Sequence, residues 1–280
     1  MKRKPVEKVW LFIKYFFLIV FTIMCLYPLV WLFLASFKTN QELYFNTWGL
    51  PESWSLTNYM NAVVKGGVIR YFGNSVIIAV AAVLVTVILA TMASYAISRM
   101  EWKLSKLTYG IFLLGMMIPV YALIIPLFSV FKSMGLLNTY LSVIIPQIAV
   151  GFPMAIFIIC GFMDSIPKDL EEAAVIDGCS VYRCFFNIIL PIAKSSIVTV
   201  AVVQFINVWN DLLWPMIVMT KQSNYTVQIG LQIYNSGSAG ATHAGTALAL
   251  SVISIIPLSV IYIFCQKYIV QSIAFSGMKQ

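Results

Sequence analysis

Charge is what this sequence has least of. Asp, Glu, Lys and Arg together make up 10% of its 280 residues, where a soluble domain carries about 25%. So thin a supply cannot wet the surface of a globule this long, and an ordinary soluble fold is excluded. Histidine is nearly absent, His243 being the only one. A nucleophile, its base and an orienting acid cannot be assembled around it, nor can a cluster of spaced His ligands. The five cysteines (Cys25, Cys160, Cys179, Cys184 and Cys265) form no C-x-x-C pair. They read as small apolar residues in a reducing compartment, with no disulfide expected. No catalytic residue and no metal ligand is therefore assigned. A G-x-x-x-x-G-K-[ST] run is missing too, so the chain has no phosphate-cradling loop of its own. Basic and aromatic residues do not interleave into a groove for nucleic acid.

What is present is apolar: 61% of the residues are hydrophobic. Six stretches stand out, at 15–36, 75–97, 107–131, 139–163, 192–213 and 246–265. Each reaches the length of about 20 residues that a helix needs to cross about 30 Å of hydrocarbon. A single run of this kind fits a buried core helix. Six of them predict an all-α polytopic membrane protein, one transmembrane domain over residues 1–280. The basic opening "MKRKPVEK" has the look of a signal peptide. The apolar part behind it is too long, however, and no A-x-A site closes it, so it is expected to remain as the first span.

The net charge of +8 is unevenly placed. Lys2, Arg3, Lys4, Lys8 and Lys14 open the chain, and Arg99, Lys103 and Lys106 follow the second span. Lys168, Arg183 and Lys194 fall in or beside the loop 164–191, and Lys267 and Lys279 close the chain. The opposite side holds only Lys38, Lys65, Arg70, Lys132 and Lys221. Basic residues collect on the cytoplasmic side of membrane proteins, so both termini and the loop 164–191 are expected there.

On the other side, residues 57–73 mix apolar and polar side chains as an amphipathic helix on the membrane face would. The loop 214–245 ends in "NSGSAGATHAG", which reads as flexible. Pro119, Pro126, Pro146 and Pro153 fall inside spans three and four. They are either packing kinks or bends about which helices swing. In span five, Gln204, Asn207 and Asn210 recur at helical spacing and share a face, with Asp211 beside them. Such polar groups either line a water-filled path or hold helices together by hydrogen bonds. The other five spans contain no acid, which argues against an ion-driven carrier with a mid-membrane carboxylate.

The densest acid lies in "EEAAVIDG", residues 171–178. Pro167 suits the first turn of a helix, and Asp169, Glu171 and Glu172 suit the positive end of its dipole. Gly178 can take the left-handed turn that ends it, and Ser180 can cap a second helix, "VYRCFFNIIL". The result is two short helices meeting at a bend. That object is either a solvated connector or a knob that another protein grips.

From Glu172 the chain reads E-A-A, three residues, Gly178, nine residues, Ile188, one residue, Leu190, Pro191. This resembles the EAA motif of the membrane subunits of bacterial ABC importers. The stretches "NYMNAVVKGGVIRYFGNSVIIA", "WNDLLWPMIVMT" and "QKYIVQSIAFSGMKQ" look like the MalG-type permeases of carbohydrate importers. The resemblance implies a permease subunit in a bacterial cell membrane, forming half of the path for a carbohydrate, expected to be an oligosaccharide. A glycerol-phosphate or other small polar solute is the alternative. It further implies a homologous MalF-type permease, two ATPase subunits and an extracellular or periplasmic substrate-binding protein as partners. ATP and Mg would sit on the ATPases, with no cofactor on this chain. Glu171, Glu172, Ala173, Ala174, Asp177, Gly178, Ile188, Leu190 and Pro191 would couple to the ATPase. Gln204, Asn207 and Asn210 are the candidate pathway lining.

Overall fold

The structure, a computed structural model, describes residues 5–236 and 243–277, and these contain helices and no strand. In chain order the helices are α1 (Pro5–Ala35), α2 (Asn40–Phe45), α3 (Thr57–Met60), α4 (Val68–Ser98), α5 (Ser105–Met116) and α6 (Ile124–Ser133). Then follow α7 (Leu141–Met163), α8 (Asp169–Ile176), α9 (Val181–Cys184), α10 (Leu190–Ile192) and α11 (Lys194–Asn210). The last are α12 (Leu213–Val218), α13 (Val227–Asn235) and α14 (Ala244–Gly277). Parts of the predicted flexible stretch (237–242), of the basic opening and of the tail lie outside the described residues.

Four helices are long and apolar enough to cross a membrane unbroken: α1, α4, α7 and α14. Two bent pairs bring the count to as many as six when each is taken as one span. The third span is not the straight helix 107–131 of the sequence reading. It breaks between α5 and a 3-10 turn at Val120–Leu123, and the two halves meet at 84°. Pro119 explains the break: it has no N–H for the ladder and turns the residue before it away from helix. Pro126 falls in the first turn of α6, where the N–H is unused, and so causes no kink. The fifth span, α11, is preceded by the 181–192 helix, which meets it at Ala193 at 72°. Pro146 and Pro153 stay within α7, both buried.

The expected amphipathic helix 57–73 is divided. Only α3 and a π turn at Asn61–Lys65 precede Gly66, and residues from Val68 onward belong to α4. Gly67 makes the division, with φ of +65°, a region that suits glycine. The loop 214–245 is largely helical, holding α12, a 3-10 turn at Gln222–Asn224 and α13.

The chain forms two compact units, Met1–Val68 with Gly230–Ile255, and Ile69–Ile229 with Ile256–Gln280. In the first, the segment after α1 is knotted by polar groups. Asn58 Nδ2 donates to the Ser36 and Lys38 carbonyls at 2.9 and 2.8 Å. Thr39 and Glu42 form a capping box on α2. The Glu42 carboxylate accepts the Thr39 and Glu52 N–H groups at 3.0 and 2.6 Å. Those backbone donors hold its pKa below the ordinary carboxylate value.

The second unit has two apolar clusters along α4, α7 and α11. One gathers Ile78, Ala79, Ala82, Val143, Phe205, Val208 and Trp209. The other gathers Ala90, Tyr95, Ile156, Ile159, Met163, Phe185 and Ile189. Fully buried alanines on α4 (Ala79, Ala82, Ala90) let the helices approach closely. Asn138 ties the turn before α7 to the segment after α12. Its Oδ1 accepts the Thr220 and Lys221 N–H groups at 2.6 and 2.8 Å. Its own backbone sits at φ +61°, which Asn tolerates better than most residues. Asn138→Ala removes the acceptor of two exposed N–H groups, which water can replace, and puts alanine at a left-handed angle, so it should destabilise the protein by about 1 kcal/mol. Thermal unfolding in detergent checks this, and an unchanged midpoint would count against the tie.

Candidate functional site

The loop 164–192 is a built object. Helix α8 begins at Asp169 with Asp169, Glu171 and Glu172 in its first turn, where the dipole favours acid. Pro167 stands one residue before the N-cap Lys168 rather than inside the first turn. The helix ends in a Schellman turn: the Cys179 N–H reaches the Ala174 carbonyl at 2.9 Å and the Gly178 N–H reaches Val175 at 3.0 Å. Gly178 is the left-handed residue of that turn, at φ +80°. A Cβ there would meet nothing within 4 Å, so the constraint is the backbone angle alone. Ser180 then caps α9, its hydroxyl accepting the Arg183 N–H. The helix runs through a π turn, Phe185–Ile189, into α10.

What fixes this loop is a residue that the sequence alone marks only as a topology charge. Arg99, at the end of α4, forms an ion pair with Glu171, Nε to Oε2 at 2.5 Å. The Arg99 side chain is 3% exposed and that of Glu171 16%. The other guanidinium nitrogens donate to the carbonyls of Met163 (3.3 Å), Ile166 (3.0 Å) and Pro167 (3.4 Å). These are the last carbonyls of α7 and the strand of chain leading into α8. One side chain thus joins α4, α7 and α8. Tyr95 packs on Phe185 with ring centroids 4.9 Å apart, one turn earlier on α4. The signal available in the sequence was a lone Arg closing a long apolar span.

With Glu171 turned inward, the outward face of α8 carries Glu172, Ala173 and Asp177, all exposed, as is Gly178. Beside them stands an apolar ridge that sequence reasoning missed: Val175, Ile176 (85% exposed) and, on α9, Tyr182 (80%). Ala174 is half-buried. The motif's tail goes elsewhere. Ile188 and Leu190 pack on the core cluster around Ile189, and Pro191 is exposed beyond it.

The polar face of span five divides as well. A cavity of about 800 Å³ lies where span three breaks. The break (Pro119–Ile124), α7 and the end of α11 surround it. Asn207, Asn210, Asp211 and Gln147 form its polar wall, and Tyr121 stands on the break. Gln147 Nε2 donates to Asp211 Oδ2 at 2.5 Å. Gln204 lies outside the lining. It is buried and donates to the Gln147 backbone carbonyl at 2.8 Å, holding α11 to α7.

Removing the inward acid leaves the Arg99 guanidinium buried without its counter-charge. Glu171→Ala should therefore cost about 3 kcal/mol, and Glu172→Ala, one residue away and exposed, less than about 0.5 kcal/mol. Thermal unfolding of the two variants compares them. Equal losses would contradict the inward assignment of Glu171.

Comparison with known proteins follows the same lines. Residues 86–275 match the family described as binding-protein-dependent transport system inner membrane component. The arabinooligosaccharides transport system permease protein of Halalkalibacterium halodurans is 34% identical, with all of both chains covered. The diacetylchitobiose uptake system permease protein of Streptomyces coelicolor is 32% identical over 94% of this chain and 87% of its own. The trehalose/maltose transport system permease protein of Thermococcus litoralis is 32% identical over 93% and 94%. Among solved structures, a chain of a bacterial ABC transporter involved in the import of the acidic polysaccharide alginate superposes with a TM-score of 0.79. That match covers 96% of this chain and 99% of the other at 22% identity, and so speaks for the fold.

Proposed function

Because this chain belongs to the family of binding-protein-dependent transport system inner membrane components, we propose that it is one of two permease subunits forming the path of an ATP-driven carbohydrate importer. The observation that carries the proposal is the docking loop. A helix with two defined ends, anchored on its inner side by Arg99 and bare on its outer side, is built to transmit force from a separate protein. The partners are a second, MalF-type permease, two ATPase subunits that hold ATP and Mg, and an external substrate-binding protein. This chain carries no catalytic step. Both termini and the docking loop face the cytoplasm of a bacterial cell, as the basic residues indicate.

Mechanically, closure of the ATPases on ATP displaces α8 as a rigid body. Arg99 passes that displacement to α4 and α7 together. The breaks at Pro119 and Ala193 supply the bends that let spans three and five follow. Glu172, Ala173, Asp177 and the ridge Val175–Ile176–Tyr182 make the contact with the ATPase. Carbonyl and amide groups of the cavity wall, on Gln147, Asn207 and Asn210, suit the hydroxyls of a sugar, and Tyr121 offers a ring face. The relatives named for oligosaccharides support that solute class.

Two substitutions test the loop. A β-branched side chain at φ +80° costs about 1–2 kcal/mol or more, so Gly178→Val should misdirect the bend and abolish ATP-coupled uptake while the protein still inserts. Full uptake by that variant would refute the role of Gly178. Glu172→Lys reverses an exposed charge without touching the Arg99 clamp, and should reduce the ATPase recovered with the purified permease pair. Unchanged recovery would remove Glu172 from the contact.

A further inference from the structure

The segment after α1 carries four exposed aromatic residues, Tyr44, Phe45, Trp48 and Trp54, and it lies beside the span rather than beyond its end. The Trp48 ring stacks on Tyr27, centroids 6.3 Å apart, and meets Trp31 at 5.8 Å. Both partners are on α1, four and eight residues before its last residue, Ala35. At 1.5 Å per residue, Trp48 therefore sits about 6–12 Å back along the helix. The chain leaves the span, turns through α2 and descends again before climbing to α3. Around Trp48 the exposed side chains are Tyr44, Phe45 (92% exposed), Leu50, Trp54 and Leu56. No charge falls between Leu43 and Pro51.

A backbone dipping to that depth needs internal partners for its polar groups, and around Thr47 the chain supplies several. Lys38, 1% exposed, donates Nζ to the Asn46 carbonyl at 2.5 Å and to that of Thr47 at 3.2 Å. The Trp31 indole donates to Thr47 O at 3.0 Å. Asn46 closes the turn itself: its Oδ1 accepts the Gly49 N–H at 3.0 Å and its Nδ2 donates to Leu50 O at 3.2 Å. The Thr47 hydroxyl donates to Leu43 O at 2.8 Å. A water-exposed loop needs none of this, because water would supply the partners. An interfacial segment does, and Trp and Tyr are the residues that favour the headgroup level.

We propose that residues 44–56 form a re-entrant aromatic wedge seated in the headgroup–acyl boundary of the bilayer, at the C-terminal end of α1, with membrane lipid as its partner. The wedge anchors the outer end of α1 and fixes its depth, and the buried Lys38 is the internal donor that lets the backbone descend. The inference needs only that α1 crosses the membrane; it is independent of the solute carried.

The test uses the intact importer complex in native membranes, with the photoreactive analogue p-benzoylphenylalanine incorporated at position 45, where exposure leaves the fold undisturbed. Irradiation should give lipid adducts by mass spectrometry. Adducts with another protein chain, or no adduct at all, would overturn the proposal. As a second reading, the emission lost in Trp48→Phe should be quenched by lipids brominated near the headgroups and not by aqueous iodide. The reverse pattern would place the wedge in water.

Discussion

Arg99 is a cation placed where a cation is costly, at the end of an apolar span and almost out of reach of water. A buried guanidinium persists only when its charge is met and its donors are used. Glu171 supplies the charge, and the carbonyls of Met163, Ile166 and Pro167 accept from the two terminal nitrogens. The cost of undoing any one of these contacts keeps the others in place. The end of α4, the end of α7 and the start of α8 are therefore held as one piece. Everything proposed for the loop depends on this, since a docking helix on a slack tether would absorb displacement instead of passing it on.

The rest of the second unit is arranged around what that piece can move. Buried alanines on α4 share their apolar clusters with α7, and Gln204 bonds α11 to α7 through the Gln147 carbonyl. The two bends lie elsewhere, at Pro119 and Ala193. The break at Pro119 opens the cavity, and its polar wall comes from the same α7 and α11 that Gln204 joins. The Gln147 side chain faces the cavity to meet Asp211, while its backbone carbonyl receives Gln204. A shift of α7 would thus change the cavity wall directly.

Much of this was legible in the sequence, and the reasons are local. Acid at a helix start, a glycine at its end and a serine cap are short-range signals, and α8, Gly178 and Ser180 lie where those signals place them. Apolar length located the four unbroken candidate spans α1, α4, α7 and α14, because crossing a bilayer demands it. The misses are long-range. The sequence offered no way to see that Glu171 faces inward and Glu172 outward, since the distinction depends on Arg99, 72 residues earlier. Helical spacing put Gln204 on a face with Asn207 and Asn210, yet only the latter two reach the cavity. Proline alone did not separate a break from a tolerated position: Pro119 ends a helix, whereas Pro146 and Pro153 stay inside one. The apolar ridge of Val175, Ile176 and Tyr182 has no local signal, because an apolar residue in a short helix can face either the core or the outside.

The most direct test of the clamp is the ratio of solute imported to ATP hydrolysed by the assembled complex carrying Arg99→Gln, with subunit composition verified on the same preparation. A clamp that transmits force predicts continued hydrolysis with import largely lost, so that the ratio collapses. An assembled complex that imports solute at the unmodified ratio would contradict it.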